Sequence, residues 1–137
     1  EDIPTNVAVL AYNMSFEKGV IEKLALRYPA LSETLLGISA NIKDLMVPFA
    51  KKSYVTPSMN GSYSIKYVLP ALVPAMSDAY AELDGVQNGS DAMSAYATMS
   101  KLEAQEKKKL RESLLAYCKL DTLAMVEVLK KLREVSE

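Results

Sequence analysis

Two side chains suited to metal or acid-base chemistry lie near the end of the chain, in the segment Tyr117-Cys118-Lys119-Leu120-Asp121. If this segment is helical, the phenol of Tyr117 and the carboxylate of Asp121 lie on the same face, one turn apart. The chain has no histidine, so any catalytic chemistry must rest on carboxylates, phenols or lysines such as these. The simpler interpretation is a hydrogen-bonded or surface pair on a helix.

A second candidate acid, Glu17, lies far upstream. The apolar run Val7–Ala11 predicts a buried strand, and a helix is expected to begin directly after it with Glu17 in its first turn. Ligand sites of open α/β sheets usually lie at this carboxyl end of a strand. The structural alternative is that Glu17 only favours the dipole of its helix.

The elements that must position these residues follow from hydrophobic periodicity. A strand is predicted at Asn6–Tyr12, followed by a helix with Ser15 as N-cap that ends at Tyr28-Pro29. The inward residues of that helix are predicted to be Phe16, Val20, Ile21, Leu24 and Ala25.

The next segments are less regular. A second helix is predicted at Leu31–Ile42 with Leu31, Leu35, Leu36 and Ile38 inward, then an apolar run that is strand or helix and stops at Pro48. The segment Lys51–Tyr63 is the clearest loop.

Three more helices are expected in the second half of the chain. The first is capped by Ser62 or Ser64 and bounded by Pro70, and the second runs from Ser90 or Asp91 to Lys101 with Ala92, Met93, Tyr96 and Met99 on one side. The longest is Glu106–Glu134, where Asp121 interrupts an apolar face, although a bend or break in it remains open. An unpaired acid is costly there, so we expect donors, a cation or an open cleft beside Asp121.

Composition narrows the function classes. The chain has 137 residues, half of them apolar, and a net charge of -1, which predicts one domain over residues 1–137 and favours no partner by bulk electrostatics. The absence of histidine excludes Ser-His-Asp and Cys-His catalysis. The single Cys118, interpreted as a core residue, fits a reducing cytoplasm, and no run resembles a membrane span or a signal peptide.

The motifs resemble a known superfamily. The block Tyr12-Asn13-Met14-Ser15-Phe16-Glu17 is similar to the second motif of DEDD-type 3′-to-5′ exonucleases with the RNase H-like fold, and Tyr117–Asp121 to their third motif in its tyrosine form. With Asp44-Leu45-Met46, Gly61–Pro70 and Leu115–Thr122, the chain resembles a bacterial domain-of-unknown-function family within that superfamily over nearly its whole length.

The resemblance implies two-metal phosphodiester hydrolysis at a nucleic acid 3′ end, DNA or RNA, with Mg²⁺ or Mn²⁺ held by carboxylates. It implies that Asp121 and Glu17 are metal ligands and that Tyr117 positions the water. The superfamily usually has aspartate at the Glu17 position. Asp44 is expected to cap the following turn rather than bind metal, and Asn13 to fix the strand-to-helix turn.

The first acidic motif of the superfamily, Asp-x-Glu, does not precede Asn13 in this sequence. We therefore expect a helix-rich α/β chain with a partial RNase H-like fold that lacks the first strands, an incomplete two-metal site, and no hydrolysis by this chain alone. One or two strands should remain, and the strand at Val7–Leu10 should present an edge through which the chain self-associates.

Residues that could contact a nucleic acid strand lie mainly in the predicted loop. Cations and aromatic rings are interleaved there, at Lys51, Lys52, Tyr54, Tyr63 and Lys66. The basic residues of the last helix are more simply a solvated face balanced by glutamates. The alternative function is a non-catalytic helical module that binds nucleic acid or acts as a scaffold.

Overall fold

The computed structural model describes residues 3–4 and 6–137, and the chain divides into two units, Glu1–Val55 and Thr56–Glu137. The strands and helices are β1 (Val9–Ala11), α1 (Met14–Arg27), α2 (Ser32–Ala40), β2 (Ile42–Asp44), α3 (Val47–Ala50), α4 (Ile65–Leu72), α5 (Gly89–Thr98) and α6 (Ala104–Glu134). The prediction of a helix-rich α/β chain with one or two strands is confirmed.

The first unit is a small parallel sheet with two helices in the connection between its strands. β1 and β2 pair in parallel with Val9 opposite Ile42 and Ala11 opposite Asp44, and α1 packs against α2. The predicted strand Asn6–Tyr12 was too long, because its partner β2 offers only three residues to pair with. The predicted second helix was also too long, since its last residue belongs to β2.

The start of α1 differs from the prediction in a way that bears on Glu17. Asn13, not Ser15, is the N-cap, and its backbone is left-handed with φ of 69°. Its own side chain makes no capping hydrogen bond. The carboxylate of Asp44 at the end of β2 supplies that role, so the first turn of α1 is fixed by the neighbouring strand.

The second unit is built on α6, which packs against α4 and α5. Its most buried apolar residues come from several of its segments: Met59, Val68, Leu69, Leu72, Val86, Ala124 and Val128. α6 is a single helix of 31 residues, as its sequence without glycine or proline predicted. Pro70 lies inside α4 rather than at its end, where it costs the short helix one backbone hydrogen bond.

Several other details of the prediction were wrong. Pro48 lies inside α3 and does not stop a strand, and α5 begins at Gly89 with Asn88 as its N-cap. The predicted loop contains a 3-10 helix at Pro57–Met59 whose Met59 is only 2% exposed. Buried apolar side chains order even a segment rich in turn residues.

Residues predicted to face inward are partly exposed, because each short helix has a wider apolar face than its neighbours cover. The exposed members of these predicted faces are Phe16, Val20, Leu24, Leu31, Leu36, Met93 and Tyr96. Cys118 is also exposed, contrary to its interpretation as a core residue. Within the part of the chain that the structure describes, no helix has the length and apolar character needed to span a membrane.

Candidate functional site

Tyr117 and Asp121 are one turn apart on α6, as predicted, and both are half-buried. Their side chains lie close enough to influence one another, since burial first and then the neighbouring Asp121 carboxylate raise the pKa of the Tyr117 phenol.

A second phenol, Tyr80, binds the same carboxylate and was missed by the sequence analysis. Its hydroxyl donates to Oδ1 of Asp121 at 2.7 Å, and its ring centroid lies 6.4 Å from that of Tyr117. Tyr80 is 41 residues away in an irregular segment without periodicity, so no spacing rule connects it with Asp121. Tyr80 thus provides the donor that Asp121 was expected to need, and the candidate site in the second unit is one carboxylate bound by Tyr80 with the ring of Tyr117 beside it.

Both phenols remain protonated well above neutral pH. Burial is the largest cause that raises the pKa of Tyr80 and of Tyr117 above the ordinary value of 10.0. The neighbouring Asp121 carboxylate raises both pKa values further. Neither hydroxyl is therefore available as a base at neutral pH.

Glu17 lies in the first unit, in the first turn of α1, shortly after the carboxyl end of β1. Its Oε2 atom is buried and has no hydrogen-bond partner among the residues that the structure describes. A buried carboxylate oxygen without a donor is costly, and a bound cation is one way of satisfying it.

Asp44 differs from Glu17, because both oxygens of its carboxylate accept hydrogen bonds from backbone N–H groups. Its Oδ1 accepts from the backbone N–H groups of Asn13 at 3.0 Å and Met46 at 2.9 Å, and its Oδ2 accepts from the N–H of Met14 at 3.0 Å. The predicted capping of the turn after Asp44 is confirmed by the Met46 bond. The two further bonds also fix the start of α1, which sequence order did not reveal.

The predicted nucleic-acid contacts have different environments. Lys51 and Lys52 are exposed, and Tyr63 is half-exposed at 51%. The ring of Tyr54 packs edge-on against Phe49 with centroids 6.1 Å apart, so it also has a structural role.

The fifth predicted contact, Lys66, already binds within the second unit. Its Nζ donates to the carbonyl of Gln87 at 2.8 Å and lies 5.7 Å from the centroid of the Tyr80 ring. A cavity of about 260 Å³ lies beside these residues, lined by Lys66, Pro70, Ser77, Tyr80, Ala81 and Gln87. Lys66 therefore belongs to the surroundings of the Tyr80–Asp121 pair.

A larger, almost wholly apolar cavity of about 480 Å³ lies between α5 and α6. Its lining includes the four residues predicted on one side of α5, together with residues of α6: Ala92, Met93, Tyr96, Met99, Arg111, Leu114, Leu115 and Cys118. Across the described residues, no group of three or more acidic, cysteine or histidine side chains is close enough to hold a metal ion.

Comparison with known proteins gives a match to a protein family. A family described as a domain of unknown function (DUF2779) matches residues 1–64, which is 64 of the 137 residues and just under half of the chain. The matched segment contains Glu17 and Asp44 and ends before Tyr117 and Asp121. No curated protein and no solved structure matches the chain.

Proposed function

We propose that this chain contributes the second and third acidic motifs of a metal-dependent 3′-to-5′ exonuclease-like domain with a partial RNase H-like fold. Glu17 and Asp121 are its ligands for Mg²⁺ or Mn²⁺, and Tyr117 orients the attacking water. The observation that carries the proposal is the buried Oε2 of Glu17, which has no donor among the described residues. An oxygen-liganded cation is the partner that such an atom suits.

The residues of the chain fit such a cation in chemistry. Both proposed ligands are carboxylates, and hard divalent cations prefer oxygen donors. When bound, the cations would stabilise the attacking and leaving oxygens of a phosphodiester. The chain's own contribution is to fix its carboxylates: α1 presents Glu17, and α6 presents Asp121 with the protonated phenol of Tyr117 one turn before it.

The proposal requires that Glu17 and Asp121 act on the same ions, and Mn²⁺ binding tests this. Mn²⁺ affinity would be measured by electron paramagnetic resonance on the wild-type chain, on Glu17→Gln, on Asp121→Asn and on the double variant. We expect each single variant to weaken binding by about tenfold or more. The double variant should lose less than the two losses combined, because residues that share a ligand are not additive.

Glu22→Gln is the matched control, since Glu22 is an exposed acid on the same helix as Glu17. Its Mn²⁺ affinity should equal that of the wild type. An affinity that is unchanged in Glu17→Gln and Asp121→Asn would overturn the metal site and the nuclease assignment with it.

Hydrolysis needs the acid pair of the first motif, and this sequence has no Asp-x-Glu before Asn13. We therefore propose that the chain by itself does not hydrolyse nucleic acid. The assay is incubation of the purified chain with 5′-labelled DNA and RNA oligonucleotides and Mn²⁺. Stepwise shortening from the 3′ end that is abolished by Asp121→Asn would show that the chain needs no further acid.

The second candidate function is a non-catalytic module that binds single-stranded nucleic acid, and the exposure of Lys51 and Lys52 favours it. Binding of a fluorescent oligonucleotide without divalent cations would be followed by anisotropy. The double variant Lys51→Ala/Lys52→Ala should bind more weakly and with a smaller salt dependence, because each lost phosphate contact lowers the slope by about 0.7 for single strands. Lys18→Ala/Lys23→Ala on α1 is the control with the same loss of charge.

A further inference from the structure

Tyr80 contacts the carboxylate of Asp121 with its hydroxyl, and its ring lies near the ammonium group of Lys66. Its hydroxyl donates to Oδ1 of Asp121 at 2.7 Å, while Tyr117, one turn before Asp121, interacts with the same carboxylate. A carboxylate has about four lone-pair sites, so the Tyr80 donor leaves room for a further ligand.

The Tyr80 ring is held in place from its other side. The ammonium group of Lys66 lies 5.7 Å from the ring centroid and donates to the carbonyl of Gln87 at 2.8 Å. The side-chain amide of Gln87 in turn donates to the carbonyls of Ala81 at 3.1 Å and Leu83 at 3.0 Å. These bonds tie together the segment that carries Tyr80 and direct its hydroxyl toward α6.

The Tyr80 hydroxyl lies 2.7 Å from Oδ1 of Asp121, which is the usual length of a phenol–carboxylate hydrogen bond. A partly buried phenol–carboxylate hydrogen bond restricts the rotation of the carboxylate about its χ2 angle. In metal sites, such partners of the ligands orient them and tune their affinity.

We propose that Tyr80 is a positioning residue that holds the Asp121 carboxylate in the orientation in which it binds a divalent cation. This inference rests on the proposed function, because it assigns Tyr80 a role toward the cation at Asp121. The residue touches neither substrate nor cation and acts only through Asp121. Lys66 supports it by fixing the ring.

The test is the Mn²⁺ affinity of Tyr80→Phe, which removes only the hydroxyl oxygen. We expect a loss of about 10-fold to 100-fold, the range seen when a hydrogen-bond partner of a metal ligand is removed. The matched control is Tyr96→Phe, since Tyr96 is 69% exposed on α5 and the described residues give its hydroxyl no hydrogen bond. Its affinity should not change.

A merely structural role makes a different prediction. Tyr80→Phe would then be easier to unfold in urea, as the loss of any hydrogen bond predicts, but the folded variant would bind Mn²⁺ as the wild type does. That result, together with weakened binding by Asp121→Asn, would overturn the positioning role and leave the proposed function intact. An unchanged affinity in Asp121→Asn would overturn both.

A second variant and an optical measurement keep the test decisive if Tyr80→Phe is poorly folded. Lys66→Met removes the cation over the ring but keeps the Tyr80 hydroxyl, and we expect a smaller loss of Mn²⁺ affinity, between twofold and tenfold. The chain has eight tyrosines and no tryptophan, so near-ultraviolet difference spectra report tyrosine alone. Addition of Mg²⁺ should perturb the tyrosine band of the wild type, and a band that stays unchanged would contradict the proposal.

Discussion

At the scale of single residues, the chain contains acids of different kinds. Asp44 accepts hydrogen bonds from three backbone donors, Asp121 accepts one from Tyr80, and Glu17 has a buried oxygen without a donor among the described residues. Sequence spacing found the pairing of Tyr117 with Asp121, because both lie on one helix. It missed Tyr80, because a contact over 41 residues from an irregular segment leaves no local pattern.

The three buried tyrosines predict a loss of stability in alkali. Burial raises the pKa of Tyr12, Tyr80 and Tyr117 in the folded chain above the ordinary value of 10.0. The unfolded chain therefore loses these protons first, so stability is complete below pH 10 and falls as the pH rises from there toward the folded pKa values. Each tyrosine lowers the free energy of unfolding by up to about 1.4 kcal/mol per pH unit within that window.

Urea unfolding at pH 8, 10 and 11 checks this prediction. The slope of stability against pH should be shallower in Tyr80→Phe and in Tyr117→Phe than in the wild type. Tyr67→Phe is the control, because the Tyr67 side chain is 46% exposed, and this variant should keep the slope of the wild type. A stability that does not change between pH 8 and 11 would contradict the burial of these phenols.

Asp44→Ala should destabilise the first unit. The substitution leaves the backbone N–H groups of Asn13, Met14 and Met46 without their acceptor. We expect a loss on the order of 2–3 kcal/mol, because charge-assisted caps are worth more than neutral ones. The measurement is urea unfolding followed by circular dichroism.

Lys43→Ala, at the exposed neighbour of Asp44 in β2, is the control for that experiment and should change stability by less than about 0.5 kcal/mol. If both variants unfold at the wild-type urea concentration, the capping bonds of Asp44 contribute nothing to stability.

At the scale of elements, the sequence predicted the existence of the helices better than their faces. The long helix was predicted over Glu106–Glu134 because that segment has no glycine or proline and keeps one period, and α6 includes all of it. The side of α5 that lines the apolar cavity was predicted correctly. The buried side of α1 was not, since Phe16 is 58% exposed and Ala25 only 4%. Tertiary packing decides which part of an apolar helix face is buried, and hydrophobic periodicity alone does not specify that packing.

The turn before α5 offers a matched pair of glycines. Gly85 has φ of 86°, and an added Cβ would lie 3.3 Å from Oγ of Ser113, whereas a Cβ at Gly89 would meet only the Tyr117 hydroxyl at 3.8 Å. Gly85→Ala should therefore cost about 1 kcal/mol or more, because alanine is strained at positive φ. Gly89→Ala should be neutral or stabilising, since it adds a better helix former at the start of α5.

Thermal unfolding of the two glycine variants distinguishes them within one segment. A lower melting temperature for Gly85→Ala together with an unchanged or higher one for Gly89→Ala is the expected pattern. The reverse order would mean that the turn does not have the backbone described above.

At the scale of the whole molecule, the sheet has two strands in the described residues, so each strand has one edge without a strand partner. We propose that β1 uses this edge to self-associate, and Val7, 41% exposed just before the strand, is the place to block it. Val7→Lys should shift the sedimentation coefficient at high concentration toward that of a monomer. Val126→Lys is the control, as Val126 is 44% exposed but lies on α6.

A wild-type chain that sediments as a monomer at every concentration would contradict the strand-edge proposal. Two further expectations stay predictions: one domain over residues 1–137, and an ion shared by Glu17 and Asp121. Each depends on the relation between the two units, which local sequence patterns do not specify. Double-variant Mn²⁺ binding tests the second of them directly.

The saturation of Asp44 has a consequence for any attempt to repair or transplant the chemistry. The Asp44 oxygens accept hydrogen bonds from three backbone N–H groups. A substitution that gave Asp44 a catalytic role would break the bonds that fix the start of α1, and Glu17 in its first turn would move. A variant with aspartate in place of Glu17 should therefore keep Asp44, because the bonds from Asp44 at the end of β2 fix the first turn of α1 and with it the position of the new carboxylate.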